Sequence, residues 1–237
     1  NNWVLGLFLC VLTTSFITEG KLVNGKWEIE QDILVIGHRG APSFRPEETF
    51  SSYEVASYQG ADFIEIDLCV TKDAYLICRH ECDLSVTTDI AEREEFTSRK
   101  RKSMFSVKDN EGYYSEDFTL EEIRTLRAKE RLPSDIRTHQ FDYLFQVITL
   151  DEFLQFVSGI NNQTGNYRCN WNEEIPSIGV YIETKTPSHF RSLGYDMEGK
   201  LLDSLHKWGY EDKCKESRDI DDPANWAISC GVILQSF

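Results

Sequence analysis

The residues able to do chemistry in this sequence gather just after, or within, short apolar runs. Gly37-His38-Arg39-Gly40 follows Leu34-Val35-Ile36, and Glu65 and Asp67 are set into Phe63-Ile64-Glu65-Ile66-Asp67-Leu68. Arg79-His80-Glu81 follows a third such run, and Glu183 and Lys185 close Tyr181-Ile182-Glu183-Thr184-Lys185. Alternate residues of a strand share a face, so Glu65 and Asp67 point one way and Ile64, Ile66 and Leu68 the other. Two carboxylates one pleat apart repel and raise each other's proton affinity unless a cation lies between them. On an edge strand such a pair would simply face solvent; the apolar opposite face and the Gly60-Ala61-Asp62 lead-in predict a central strand. Taken singly each residue is ordinary, since a lone histidine at a strand end is more often a satisfied surface or core residue than a catalyst. Together, Glu65, Asp67 and Glu183 offer oxygen ligands to a hard divalent cation, and His38 and His80 exchange protons near neutrality. Arg39 and Lys185 can hold an anion. That inventory fits metal-assisted cleavage of a phosphodiester.

These side chains need elements that aim them at one place. Strands are expected at 33–36, 63–68, 75–78, 178–184 and 232–236, the third too close to the second for a helix between them. A helix is expected over 47–59, ended by Gly60, and another over 196–208, ended by Gly209. Thr119-Leu120-Glu121-Glu122 and Thr149-Leu150-Asp151-Glu152 are capping boxes that each open a helix. The strand-then-helix order predicts an α/β fold with a parallel sheet. In α/β barrels the catalytic face lies at the carboxyl ends of the strands, where these residues fall. The charged stretch from Glu92 to Lys102 is expected to be a solvated loop.

Composition bounds the partners. With 25 basic and 40 acidic residues the net charge is -15 over 237 residues, which argues against nucleic acid as a partner. At 41% hydrophobic and 27% charged the chain is globular. An apolar core of residues 3–12 reads as the h-region of a signal peptide within 1–20, with a buried helix or an uncleaved membrane anchor as the alternatives. Of the 7 cysteines, Cys10 lies in that segment, leaving Cys69, Cys78, Cys82, Cys169, Cys214 and Cys230 free to pair in ways the spacing does not assign. Asn162-Gln163-Thr164 is a glycosylation sequon. These features predict the secretory pathway: secreted, in the cell wall, or in a vacuolar or lysosomal lumen. Because the sequence opens on Asn1 and stops just after an apolar run, it is expected to be incomplete at both ends.

Gly37-His38-Arg39-Gly40-Ala41, Pro46-Glu47-Glu48-Thr49, Gln59 through Asp67, Thr71-Lys72-Asp73, Arg79-His80-Glu81 and Ile182-Glu183-Thr184-Lys185 resemble the glycerophosphodiester phosphodiesterase family, in its periplasmic and plant secreted branch. The resemblance implies a TIM (β/α)8 barrel within 21–237, interrupted after about the sixth strand, with a small insertion at about 81–118 after the third strand. It implies a small-molecule glycerophosphodiester substrate, split to sn-glycerol 3-phosphate and an alcohol. Membrane proximity would come only through the substrate or an uncleaved N-terminal segment, and oligomeric state is not indicated. By resemblance Glu65, Asp67 and Glu183 bind Ca²⁺ or Mg²⁺, Glu47 supports them, His38 and His80 are the acid and base, and Arg39 and Lys185 take the phosphate. Glu48 stands where the family usually has Asn or His, and Glu81 where it has Asp. The alternatives are a phospholipase or sphingomyelinase-D-like activity on intact lipids, or a non-catalytic surface protein that keeps the barrel.

Overall fold

An eight-residue strand, Phe63–Val70, organises the molecule, and every one of its residues is buried. The computed structural model describes residues 21–23, 26–28, 34–103, 111–163, 178–210 and 231–236. In chain order the elements are β1 (Lys21–Val23), β2 (Lys26–Glu28), β3 (Ile36–His38), α1 (Phe50–Tyr58), β4 (Phe63–Val70) and β5 (Leu76–Cys78). Then come β6 (Arg101–Lys102), β7 (Glu111–Gly112), α2 (Leu120–Arg124), α3 (Leu150–Gln163), β8 (Gly179–Thr184), α4 (Pro187–Ser192), α5 (Met197–Lys207) and β9 (Val232–Ser236). The pairs β1–β2 and β6–β7 are small antiparallel ribbons.

The main sheet runs β3-β4-β8-β9 with all neighbours parallel. β4 is therefore central, as the alternation of its residues predicts. Its even-numbered side chains, Ile64, Ile66 and Leu68, join Phe153, Leu154 and Val157 of α3 and Met197, Leu201 and Leu205 of α5 in the main core. The odd face is layered. Ile36, Phe63 and Tyr181 form an apolar floor, and Glu65, Asp67 and Glu183 stand above it, Asp67 paired in register with Glu183. Gly179 faces Phe63 across the ladder, where a Cβ would come within 2.3 Å of the ring, so the floor closes only over a glycine.

Both capping boxes form. Thr119 Oγ1 accepts from the Glu122 N–H while Glu122 accepts from the Thr119 N–H; Thr149 and Glu152 reciprocate at 3.3 and 2.9 Å. Asp196 caps α5 by accepting from the Gly199 N–H at 2.9 Å.

Four expectations are corrected. The strand expected at 33–36 runs Ile36–His38, so His38 lies within it rather than after it. The first helix starts at Phe50, not residue 47, because Glu48 takes a left-handed φ of 58° and Thr49 becomes the N-cap, accepting from the Ser52 N–H. The third strand is antiparallel to β4, pairing Leu68 with Cys78 and Val70 with Leu76. Its reversal is a tight turn: Ala74 has φ 65°, and Thr71 Oγ1 accepts from the Tyr75 N–H at 2.9 Å. The charged stretch is ordered rather than a plain loop. It includes a 3-10 helix at Glu94–Arg99, and Arg99 and Arg101 pair with Glu122 and with Glu116 and Asp117, each at 2.6 Å. The apolar segment 1–20 and Thr164 of the sequon lie outside the described residues. Among the described residues no helix is long and apolar enough to cross a membrane.

Cys69 of β4 is bonded to Cys82, just past β5, across 13 positions, and Cys78 is a free, buried thiol. Closing a loop of that size removes enough denatured-state freedom to contribute about 3 kcal/mol. Replacing both bonded cysteines by serine should lower the urea-unfolding free energy by about that amount. Equal midpoints for the variant and the wild-type protein would refute the contribution.

Candidate active site

At the end of β3 the chain turns sharply through Arg39 (φ 57°) and Gly40 (φ 88°), the Gly40 N–H returning to the Gly37 carbonyl at 3.0 Å. A side chain on Gly40 would meet Ser52 Oγ at 2.5 Å, so the turn packs against α1 only with glycine there. The left-handed Arg39 aims its backbone N–H at Glu65 Oε2 (2.8 Å) and its guanidinium at the acidic layer. Arg39 Nε is 3.1 Å from Asp67 Oδ2, and Nη1 is 3.3 Å from Glu47 Oε1. His38 stands beside them with Nε2 3.9 Å from Glu65 Oε2.

From the other side β8 delivers Glu183 and then Lys185, whose Nζ is 2.9 Å from Asp67 Oδ1 and also pairs with Glu183. Gln235 of β9, opposite Glu183 in register, donates to its carboxylate at 3.2 Å. His80 arrives differently. β5 starts beyond the end of β4 and runs back along it, so the Arg79 N–H donates to the Asp67 carbonyl at 2.8 Å and His80 follows immediately. Its Nδ1 lies 2.8 Å from Glu81 Oε1. The structure thus brings His38, Arg39, Glu47, Glu65, Asp67, Glu183 and Lys185 into one network of direct contacts at the end of the sheet. It sets His80 at the same level of β4, on a separate carboxylate.

Burial and mutual repulsion govern the electrostatics. Burial, then the neighbouring Asp67, push the Glu65 carboxyl up to about 8 against the opposing pull of Arg39. Burial, helped by the nearby Arg39 charge, pushes the His38 imidazole down to about 4, so it is neutral across the physiological range. Burial alone would raise Glu81, but the His80 hydrogen bond and the Arg131 charge bring it down to about 2.

Several participating residues carry no clear mark in the sequence. Glu48 is fully buried, accepts from the Asp67 N–H at 3.0 Å and from the Tyr53 hydroxyl, and extends the acidic layer. Burial beside Asp67 and Glu65 pushes its carboxyl well above the usual range. The only sequence signal was its replacement of the usual Asn or His, residues that tolerate a left-handed φ better than Glu does. Arg131, from the long segment between α2 and α3, pairs with Glu81 and reaches Glu47 Oε1 at 3.6 Å. No local pattern singles it out.

The residues fit a hard divalent cation. Oxygens of Glu48, Glu65 and Asp67 all lie within 4.8 Å of one another. Both Asp67 oxygens are buried and receive no aligned hydrogen bond, although Arg39 and Lys185 stand within ion-pair distance. This close group has Glu48 where the resemblance places Glu183, which sits one strand over, held by Lys185 and Gln235.

The sheet thus gathers carboxylates, two imidazoles and an Arg–Lys pair at one end of an α/β fold, and comparison with known proteins gives the family. The sequence profile of the glycerophosphoryl diester phosphodiesterase family matches residues 38–189, and the chain belongs to that family. It is 35% identical over 182 residues to glycerophosphodiester phosphodiesterase GDPD6 of Arabidopsis thaliana, covering 74% of this chain and 44% of that protein. Against the glycerophosphodiester phosphodiesterase of Haemophilus influenzae it is 29% identical over 195 residues, 78% of this chain and 48% of the other. The chain thus spans about half the length of these curated relatives. A crystal structure from Silicibacter pomeroyi, whose glycerophosphoryl diester phosphodiesterase activity is itself an assignment, superposes with a TM-score of 0.54 at 18% identity. It covers 85% of this chain and 57% of that one, and supports the fold: the α/β, TIM-type barrel of the family.

Cation binding should be linked to protons. Glu65 holds a proton below about 8 and must lose it to act as a ligand, so affinity should rise as pH climbs from 6 through 8. Calorimetry of Ca²⁺ or Mg²⁺ binding in buffers of different ionisation heat should show proton release near pH 7. Binding that releases none, with an affinity flat in pH, would contradict the protonated resting state.

Proposed function

We propose that this protein hydrolyses glycerophosphodiesters to sn-glycerol 3-phosphate and an alcohol, in a compartment of the secretory pathway. The observation that carries the reading is the direct pairing of Arg39 and Lys185 with buried carboxylates, beside two imidazoles in different environments. Glu65, Asp67 and Glu183, with Glu47 in support, hold a divalent cation, Ca²⁺ or Mg²⁺, and Glu48 adds oxygen ligands on the α1 side. The bound cation supplies Lewis-acid polarisation of a phosphate oxygen.

The chain's own groups do the rest. Arg39 and Lys185 take the non-bridging phosphate oxygens, where charge that builds in the transition state strengthens both contacts. Their carboxylate partners hold them in place beforehand, so little reorganisation is left for the reaction. His38, neutral over the physiological range, is suited to accept a proton from the nucleophile, which is either water or the substrate's own glycerol 2-hydroxyl, the cyclic phosphate formed in the second case then being opened by water. His80 keeps Nδ1 on Glu81 and has Nε2 free to exchange the second proton at the leaving oxygen. The secretory location is supported by the Cys69–Cys82 bond, which persists in oxidising compartments. Residues 81–118, which include 3-10 turns and the β6–β7 ribbon, are read as the family's small insertion.

His38→Ala and His80→Ala in the full-length protein should each lower kcat/KM for glycerophosphocholine by about 10² to 10⁴. EDTA should abolish turnover and added divalent cation restore it. Full activity in both histidine variants, or in chelator, would overturn the assignment.

A further inference from the structure

The proton-exchange reading gives Glu81 one contact and leaves Arg131 unused, yet both are built into the site. Glu81 is the residue after His80, and its Oε1 takes the imidazole Nδ1 at 2.8 Å. A carboxylate held far below the usual range can only accept, so Nδ1 carries the hydrogen and Nε2 is left without one in the neutral ring. The same Oε1 is engaged by the Arg131 guanidinium, whose other terminal nitrogen lies 3.6 Å from Glu47 Oε1. Glu47 Oε1 is also 3.3 Å from Arg39 Nη1. A hydrogen bond and three ion pairs therefore form a continuous line from His80 through Glu81, Arg131 and Glu47 to the phosphate-side Arg39.

Arg131 is itself firmly presented. On one side the Glu130 N–H donates to Asp142 Oδ1 at 2.7 Å, and on the other the Leu132 N–H donates to Glu130 Oε1 at 2.9 Å. His139 clamps the loop, reaching Asp142 Oδ2 at 2.7 Å and the Leu132 carbonyl at 2.8 Å. Arg45, in the stretch between β3 and α1, stacks its guanidinium 3.8 Å from the Phe141 ring centre, tying the loop to the site wall. A surface pair that only decorated the loop would have no need of neighbours pinned on both sides.

We propose that Glu81 and Arg131 are positioning residues for His80, which fix its tautomer and ring orientation so that Nε2 is the proton-exchanging atom. The inference rests on the reading of His80 as an acid–base group. It also gives the longer Glu81 a purpose: it meets an arginine supplied by a segment far along the chain.

The test uses the full-length protein with Glu81→Gln, Arg131→Met and Arg131→Lys, glycerophosphocholine as substrate, and ¹⁵N-imidazole NMR of His80 at a pH where its ring is neutral. In the wild type the His80 ring should show the Nδ1–H tautomer. Glu81→Gln should convert it to a mixture and lower kcat about 10- to 100-fold, the range typical of residues that orient a functional imidazole. KM should stay within about twofold, since substrate contacts are untouched. Arg131→Met should act in the same direction and Arg131→Lys should recover most of the loss. An unchanged ring signal in Glu81→Gln overturns the proposal, as does a loss confined to KM or one that only follows a lower unfolding midpoint. Should the wild-type protein hydrolyse no glycerophosphodiester, the functional reading fails on its own, and the ring signal still decides whether Glu81 and Arg131 position His80.

Discussion

Everything at the end of the sheet follows from the need to balance buried carboxylates. Glu47, Glu48, Glu65, Asp67 and Glu183 are all almost fully inaccessible, and an unpaired buried ion costs several kcal/mol even after relaxation. Arg39, Arg79, Arg131 and Lys185 supply the opposite charge. Arg79 is the least obvious of them: it is fully buried, and its Nη1 donates to the Glu47 carbonyl at 3.0 Å. Burial pushes its guanidinium down despite the carboxylates around it, the mark of a cation that serves from inside. The balance is incomplete on the β4 side, where Glu48 and Glu65 are both driven toward the protonated form. That residual strain is what a divalent cation would relieve.

The same balance reconciles a chain of net charge -15 with the anionic ligand proposed for it. Long-range fields fall off within about 10 Å at ordinary ionic strength, so the local arrangement decides. Arg39 and Lys185 are ion-paired, yet each keeps some exposure, 11% and 16% of its side chain. Their pairs hold them upright rather than consume them, because a guanidinium has five donors and an ammonium three. Part of the protein's acidity lies buried in the site itself, where the cations answer it at short range.

Legibility in the sequence tracks the kind of constraint involved. The period-two pattern of residues 63–68 correctly gave a central strand with Glu65 and Asp67 on one face, because burial on both sides of a strand leaves no other register. Glycines at helix ends and the two capping boxes marked their positions within a residue or so. What escaped was set by non-local contact. Glu48 itself gives no sign of a left-handed backbone, which only the family's usual Asn or His at that position hints at, and nothing shows that Arg131 returns to the site. The direction of β5 was half legible: the short spacing excluded a helix, and a strand without a crossover has to run antiparallel. The motif's left-handed and turn positions are occupied here by Arg39, Glu48 and Ala74 rather than glycine, which hid them from a reading based on turn residues.

The site therefore has two halves held by different physics. Glu65, Asp67, Glu183 and, at the end of β3, His38 are fixed by the ladder itself, where a slip of one residue would reverse every side chain and turn Ile64 and Ile66 into the acidic layer. His80 has no such protection. It follows a three-residue antiparallel strand that pairs with β4 only over Leu68–Val70, so register alone leaves its ring free to move. Three tethers substitute: the Arg79 N–H on the Asp67 carbonyl, the Cys69–Cys82 bond two residues on, and the Glu81–Arg131 pair at the ring. One acts on the backbone, one on the loop and one on the imidazole, so each removes a freedom the others leave. Charge is thus placed by the sheet, while the His80 imidazole is placed by cross-links that the sheet could not provide.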